Sequence, residues 1–414
     1  MAEPTYFGAH LASMASCPPL PHAGEGSNPV AIVGGGPTGM ALALALARHG
    51  IAAEIHDARP RGAARGDPRV LALSHGSRQT FEWLGVWPRI ADSATPIDTI
   101  HISQQGGFGR TRITAREQGV PALGQVVAAA SVAAALDEAL DAAGVVFHGD
   151  DRVVAVDAGG NHIRVRTAGG RESAARLVVY AEGAVDSAGG SDAARQTVER
   201  DYGQHALICC VTTQTPHGNV AWERFTPQGP LALLPFGGAG TEHNKYAVVY
   251  TCAPAEAARL AALDDDEFLA ALQAHFGSRL QFVTATSRQV FPLGLRYRPS
   301  PIGPRRVWLG NAAQTLHPVA GQGFNLALRD VMQLAQTLAD APDPGAPALL
   351  ARYAASRRLD RNGVIGFTDT VVRLFSNDTP LLREGRGLAL LALDLLPPLR
   401  GFVARRMMFG ARGG

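Results

Sequence analysis

The chain has 414 residues, 46% of them hydrophobic and 18% charged, an ordinary globular composition with length enough for one large core or two domains. A formal charge of +2 gives no electrostatic case for nucleic acid, and no run of 18 uncharged apolar residues is available to span a bilayer. Of the 38 basic residues only Lys245 is a lysine, which codon bias explains without a functional arginine surface. Cys17, Cys209, Cys210 and Cys252 form neither a C-x-x-C nor a zinc spacing, so no metal site is expected; they read as reduced, structural thiols of a cytoplasmic protein.

Residues 1–28 carry Pro, Gly, Ser and His without periodicity, and without the charged start and apolar run of a signal peptide they read as a mobile tail. Structure is expected to begin at "NPVAIVGGGPTGMALALALARHGIAAEIHDARP". There Val30 to Val33 reads as a buried strand, Pro37 to Arg48 as a helix and Ala52 to His56 as a second strand. Further helices are expected over Ser77 to Leu84 and Ser131 to Ala143. Residues 145–183 read as four short strands, of which "HIRVRT" alternates as a half-exposed strand should. From about 200 to 295 the pattern becomes antiparallel β, in "ALICCVTT", "NVAWERFT", "PLALLPF", "KYAVVYT" and "RQVFPLGL", interrupted by one helix near Asp265 to Phe276. The α/β pattern returns at Val307, and beyond 345 the chain reads as helical. The expected organisation is a discontinuous nucleotide-binding domain (29–199 and 296–345), an inserted β domain (200–295) and a helical C-terminal segment (346–414).

"GGGPTG" places Gly34, Gly36 and Gly39 in the G-x-G-x-x-G order between a strand and a helix that starts at Pro37. The first glycine allows the tight turn, the second lets backbone approach a pyrophosphate, and the third lets helix and strand pack closely. Asp57 ends the second strand, where a carboxylate holds a ribose diol. Only one such fingerprint is present and no redox cysteine pair accompanies it, which favours FAD lying along the whole first domain.

These residues, with "YAEG" at 180–183 and "GNAAQTLHPVAGQGFN" at 310–325, resemble the three fingerprints of the single-component FAD-dependent aromatic hydroxylases. The likeness covers roughly residues 30–375. It is strongest to the ubiquinone-biosynthesis branch, in the group of 2-polyprenyl-6-methoxyphenol hydroxylases, through "RVLALSHGSRQTFEWLGVWPRIADSATPI", "ALGQVV" and "WERFTPQGPLALLPF". The resemblance implies a para-hydroxybenzoate hydroxylase-like α/β fold, with a Rossmann-like FAD-binding domain and an antiparallel substrate sheet. It implies that Gly34, Gly36, Pro37, Gly39 and Asp57 bind the ADP half of FAD and that Arg69 approaches its phosphates or ring. Gln125 would meet the ribityl region, Glu182 and Gly183 stand at the middle fingerprint, and Gly310 and Asn311 would hold the ribityl and pyrophosphate. Pro318, Gly321, Gln322, Gly323 and Asn325 would wrap the ring. Two positions depart from the family pattern. Asn311 replaces an aspartate, as in the ubiquinone branch, and Glu182 replaces the aspartate of the Asp-Gly pair, with Ser187 one place late in the following stretch.

The implied reaction is hydroxylation of a polyprenyl phenol through a flavin hydroperoxide, with O2 as co-substrate and NAD(P)H or another donor as reductant. The cofactor carries the hard chemistry, so no catalytic triad is expected and no catalytic side chain is assigned. His317 reads as a loop anchor beside its proline, with acid–base catalysis as the alternative. Phe225, Leu233 and Phe236 are candidate substrate lining or simply core. The C-terminal "GLALLALDLLPPLRGFVARRMMFGARGG" mixes leucines with Arg400, Arg405, Arg406 and Arg412, a pattern that suits peripheral contact with an anionic membrane or with other subunits of a ubiquinone-biosynthesis complex. Two other readings stay open: a paralogous flavin hydroxylase acting at another ring position or on another aromatic, and a non-catalytic FAD-binding scaffold subunit.

Overall fold

The computed structural model describes residues 30–183, 197–238, 240, 243–375 and 380–412; the 1–28 segment with Cys17, and Ser187, lie outside the described residues. Val30–Val33 is buried on both faces, which is why the run shows no alternation. It pairs in parallel with Leu177–Tyr180 on one side and Ala53–His56 on the other. Arg306–Trp308 and the short Ile302–Gly303 extend the sheet at one edge, and Val146–His148 closes the other. One face packs on the helices Pro37–Arg48, Ala129–Ala142 and Gln322–Leu338. The opposite face carries a three-stranded meander, Val153–Gly159, His162–Thr167 and Glu172–Ala175. Residues 145–183 therefore hold five strands where four were expected. Arg176 alone separates the last two, which belong to different sheets.

The second large sheet has nine strands and is antiparallel but for one pair. Val198–Thr213 is its long spine, bonded to Lys245–Cys252 on one side and to Gln289–Tyr297 and Phe282–Ala285 on the other. It also takes Thr99–Gln104 and Arg110–Thr114, from the stretch that the sequence placed in the first layer, with the parallel pair formed between Thr99–Gln104 and Val220–Thr226. Parallel pairing is set by chain crossover rather than by a local turn, so neighbouring sequence carries no sign of it. Two helices, Pro254–Ala262 and Asp265–Phe276, cover the outer face where one was expected. Pro254 opens the first, and the Asp264 carboxylate caps the second by accepting from the Glu267 N–H at 2.8 Å. Cys209 is buried and Cys210 half-exposed, as alternate faces of a strand require. A small sheet of Val70–Ser74, Gly124–Ala128 and Thr95–Ile97 sits between the two large ones.

Helix Pro347–Phe375 is tied to helix Gln322–Leu338 by charges, nearly all removed from water. Asp360 accepts from Arg329 at 2.9 Å and Arg357 at 2.6 Å, and Arg357 also reaches Asp330 at 2.6 Å. The next residue, Arg361, donates to Gln314 and to the Ala313 carbonyl, clamping the segment that leads into the third fingerprint. Burial works against the ionised Asp360, but the Arg329 and Arg357 charges overcome it and hold its pKa below the usual value. Asp360→Ala leaves two buried guanidinium groups without their shared partner and is expected to cost about 3–5 kcal/mol in urea unfolding. Because the folded-state pKa is depressed, the wild-type advantage is fully present at pH 5 and shrinks only below the ordinary aspartate value of about 3.9.

Candidate functional site

The carboxyl ends of the central parallel strands open into one crevice, the place where open α/β sheets bind ligands. The first glycine turn is packed to its limit on the protein side. Gly34 has φ +113°, and a Cβ there would lie 2.7 Å from the Ala181 carbonyl carbon. A Cβ on Gly39 would lie 2.0 Å from the Gly34 carbonyl oxygen, so helix and strand meet backbone to backbone. The Gly35 N–H donates to Asp57 Oδ2 at 2.6 Å, and the Arg59 N–H donates to Oδ1 at 2.8 Å, which fixes the Asp57 carboxylate beside the turn.

Gly36 is different, because a Cβ there would meet nothing within 4 Å. It is also the N-cap of helix Pro37–Arg48, which has no side-chain cap and no acidic residue in its first turn. Helix Gln322–Leu338 shares these features: Gly321 caps it at φ +59° with no side-chain cap or first-turn acid, and Gly323 has open space where a Cβ would stand. Ser74, Thr114 and Asp264, by contrast, cap their own helices through the side chain. Two helix N-termini thus present backbone N–H groups and positive dipole ends to the crevice.

The middle and third fingerprints close on the first. Glu182 follows Ala181 against Gly34, and its Oε2 is buried without a hydrogen-bond partner. Burial, together with the Asp57 charge, pushes its pKa up to about 7. A Cβ on Gly310, at φ +55°, would come 3.0 Å from Thr38 Oγ1, so this segment rests on the first turn of helix Pro37–Arg48. Asn311 beside it is exposed and Pro318 half-buried. Gly321 lies over Ala72, where a Cβ would stand 3.3 Å from the Ala72 Cβ, and Gln125 is buried on the strand that pairs with Leu73.

Asn325 holds this loop rather than facing a ligand. Its Oδ1 accepts from the Ser74 N–H at 2.8 Å and the Ser77 hydroxyl at 2.7 Å, and its Nδ2 donates to the carbonyls of Ala72 at 2.9 Å and Gly321 at 2.7 Å. A primary amide has two donors and two good acceptor positions, and all are used. His317 is likewise an anchor. Its Nδ1 accepts from the Val319 N–H at 3.2 Å, and burial lowers its pKa to about 4, so the ring is neutral at pH 7. Arg69 lies at the surface with its guanidinium engaged by Asp67. An exposed pair of this kind is worth little and is readily given up.

Alternation decides the proposed substrate residues. Leu233 is fully buried among Trp222, Leu231 and the outer helices, so it is core of the sheet's far side. Phe225 packs on Val319, and Phe236 lies with Ile97, Ile100 and Met408; both face the crevice side. A cavity of about 70 Å³ lies there, lined by Ala72, Ile100, Ile113, Gln322, Met407 and Met408 among others. The two methionines come from the last helix, which no local motif connects to the glycine fingerprints. Glu223 was also missed. It shares the face of Ala221 and Phe225, and its signal was an acidic residue between two apolar ones at alternate positions of the strand.

The crevice fits FAD. Protein side chains leave room at the two glycines that open uncapped helices, and the Asp57 carboxylate stands where a ribose would lie. Gly34, Gly36, Pro37, Gly39 and Asp57 would hold the ADP half, with Gly310, Asn311 and the Pro318–Gly323 loop along the flavin half. Gly36→Ala and Gly39→Ala are expected to separate folding from binding. Gly36→Ala stays within about 1 kcal/mol of wild-type stability without FAD. Its FAD affinity falls at least about tenfold, about 1.4 kcal/mol, by fluorescence titration. Gly39→Ala, with no room for its Cβ, loses the cooperative thermal transition itself.

The FAD binding domain family matches residues 27–368. The chain is 33% identical over 405 residues to ubiquinone hydroxylase UbiL of Rhodospirillum rubrum, covering 92% of this chain and 89% of that protein. It is 32% identical over 375 residues to 3-demethoxyubiquinol 3-hydroxylase of Escherichia coli, covering 88% and 94%. The crystal structure of Klebsiella pneumoniae HpxO complexed with FAD and uric acid superposes with a TM-score of 0.68 at 17% identity, covering 92% of this chain and 97% of that one, a likeness of fold alone. With a glycine crevice built for FAD and relatives of this kind along nearly its whole length, the chain belongs to the FAD-binding flavin monooxygenases, in the family of the ubiquinone-biosynthesis hydroxylases, and is an FAD-dependent aromatic monooxygenase.

Proposed function

We propose that the protein hydroxylates the aromatic ring of a polyprenylated phenol in ubiquinone biosynthesis, with 2-polyprenyl-6-methoxyphenol as substrate. One observation carries this reading. The apolar cavity is bounded on one side by Gln322 and Asn325, from the start of the flavin-side helix, and on the other by Met407 and Met408. A ring held there would lie beside the loop that would hold the flavin, and flexible methionines can give way to a prenyl chain.

Bound FAD, once reduced by an electron donor, activates O2 for transfer of one oxygen atom to the ring. The chain's own part is to bind, orient and exclude water. Ile97, Ile100, Ile113, Met407 and Met408 form a dry wall for the ring. The positive end of helix Gln322–Leu338 favours negative charge on the reduced cofactor. The Asn325 and His317 anchors hold the loop in one shape without presenting competing acid–base groups. Expression in a cell lacking its own methoxyphenol hydroxylase is expected to restore ubiquinone and remove the accumulated 2-polyprenyl-6-methoxyphenol. A hydroxyl found at another ring position would point to the paralogous reaction, and a yellow protein that restores nothing would discard this substrate.

The C-terminal helices suggest how a lipid reaches the site. Among the described residues no single helix is long and apolar enough to cross a membrane, but Glu384–Leu395 and Pro397–Phe409 meet at a 98° bend. Around it Leu388, Leu391, Leu395, Leu396, Leu399 and Phe402 are exposed, Leu395 by 66%. Exposed leucines so concentrated mark an interaction site. Beside them a cleft of about 580 Å³ is lined by Arg110, Arg224, Arg279 and Leu391, chemistry that suits anionic lipid headgroups. Arg400, expected to face the membrane, instead donates to the Leu393 and Asp394 carbonyls and pairs with Glu117, fixing the bend. The double variant Leu395→Asp with Leu396→Asp is expected to lose co-sedimentation with anionic vesicles while keeping full turnover of a short-chain phenol; undiminished vesicle binding would contradict this docking face.

A further inference from the structure

Among the described residues, the crevice-side face of the large sheet carries a half-buried glutamate, Glu223, with one carboxyl oxygen lacking a partner. Strand Val220–Thr226 is paired without a bulge to Gly229–Pro235 on one side and Thr99–Gln104 on the other. Its side chains therefore alternate strictly. Trp222 points to the outer helices, whereas Ala221 and Phe225 point to the crevice. Glu223 lies between those two and shares their face, with Ala232 and Ile102 as its cross-strand neighbours. Ile100, Ile102, Leu234 and Phe236 make the surrounding surface apolar. Phe225 meets Val319 of the flavin-side loop, and Ala221 belongs to the cluster of Met408. The carboxyl thus lies on the crevice-side face of the sheet, between Phe225, which packs with the Val319 loop, and Ala221, which packs with the last helix.

Its Oε1 is buried and has no hydrogen-bond partner. Leaving a buried acceptor unmatched costs about 1–3 kcal/mol, more for a charged group, so such an atom in a folded protein calls for an explanation. Burial alone pushes the carboxyl up to about 7. An exposed glutamate near 4.3 is a poor base for a phenol near 10, and a value about 7 lies closer to the phenol while leaving a carboxylate populated at neutral pH.

Resting on the reading above, we infer that Glu223 is the proton acceptor for the hydroxyl of the phenol substrate. In this step the phenol O–H bond breaks, its proton passes to the Glu223 carboxylate, and the electron pair stays on the oxygen and enriches the ring positions ortho and para to it. Overall, the ring C–H, O2, two electrons from the donor and two protons give the C–OH and one water. The ring carbon exchanges its hydrogen for oxygen, and the proton held by Glu223 can return in forming that water. A neutral hydroxyl buried against a lone carboxylate satisfies both groups, which gives the site a preference for phenols over methyl ethers of the same shape.

Single-turnover experiments test this without knowledge of the natural reductant. FAD bound to the full-length protein is reduced with dithionite, a short-chain 2-prenyl-6-methoxyphenol is added, and O2 is admitted. Wild type is expected to convert most of its flavin equivalents into hydroxylated phenol. Glu223→Gln should keep FAD and bind the phenol within about threefold. Its product per flavin should fall at least tenfold, with hydrogen peroxide released in its place. Ring-fluorinated phenols of lower pKa should recover much of the loss, which a merely structural role would not allow. Wild-type yield and rate in Glu223→Gln would overturn the assignment. Should that variant not retain FAD, wild type decides alone: a yield that climbs steeply with phenol acidity means that no base is at work, and a flat yield supports one. Wild type that makes no product from any phenol removes the substrate reading and this inference with it, a result distinct from loss confined to the variant.

Discussion

A loop interrupted by glycines must be held in one conformation, and the rest of the site depends on that. Gly310, Gly321 and Gly323 loosen the backbone, and only part of its rigidity comes from within, where His317 accepts from the Val319 N–H. The rest is imported. Asn325 ties the loop to Ala72, Ser74 and Ser77 with every hydrogen bond its amide can make. Arg361 grips the segment from behind, and the buried Asp330–Arg357–Asp360–Arg329 chain fixes the helix that Arg361 stands on. Buried charges of this kind contribute little net stability, but they tolerate few alternative arrangements. A glycine loop that must keep one shape can use that property.

The same arrangement accounts for how chemistry is divided within the molecule. Glycines, two uncapped helix ends and the Asp57 carboxylate would address the cofactor. On the sheet side the surface around Glu223 is apolar, made by Ile100, Ile102, Leu234 and Phe236. Groups that could compete with Glu223 are occupied or neutralised. His317 is uncharged and bonded to its own loop, and the Tyr202 hydroxyl donates to Asp369. The last helix takes part in the site as well, because Met407 and Met408 line the cavity beside Ile100 and Ile113.

Local chemistry made much of this legible from sequence. Gly34, Gly36, Gly39 and Asp57 stand together because a strand, a turn and a helix are contiguous, and the pattern that names them also builds them. The glycines at 321 and 323 were readable for the same reason. What escaped was set at long range. The pairing of Thr99–Gln104 with Val220–Thr226 is a parallel crossover with no local signature. Leu233 and Phe225 looked equivalent in "WERFTPQGPLALLPF", and only the register across the strand pair puts one in the outer core and the other on the opposite face against Val319. Asn325 looked like a ring contact because it follows the glycine loop; its four bonds reach partners some 250 residues earlier in the chain as well as its own loop. Arg400 looked like a membrane charge until the bend beside it gave its guanidinium carbonyls to hold.

The most direct test is isotopic. The FAD-loaded protein, chemically reduced and supplied with a prenylated methoxyphenol, is exposed to oxygen-18 gas in ordinary water, and the product is weighed by mass spectrometry. A single labelled oxygen in a new ring hydroxyl is the result this account predicts. Unlabelled phenol recovered intact, with all of the label in peroxide or water, would mean that the crevice binds flavin without serving an aromatic ring.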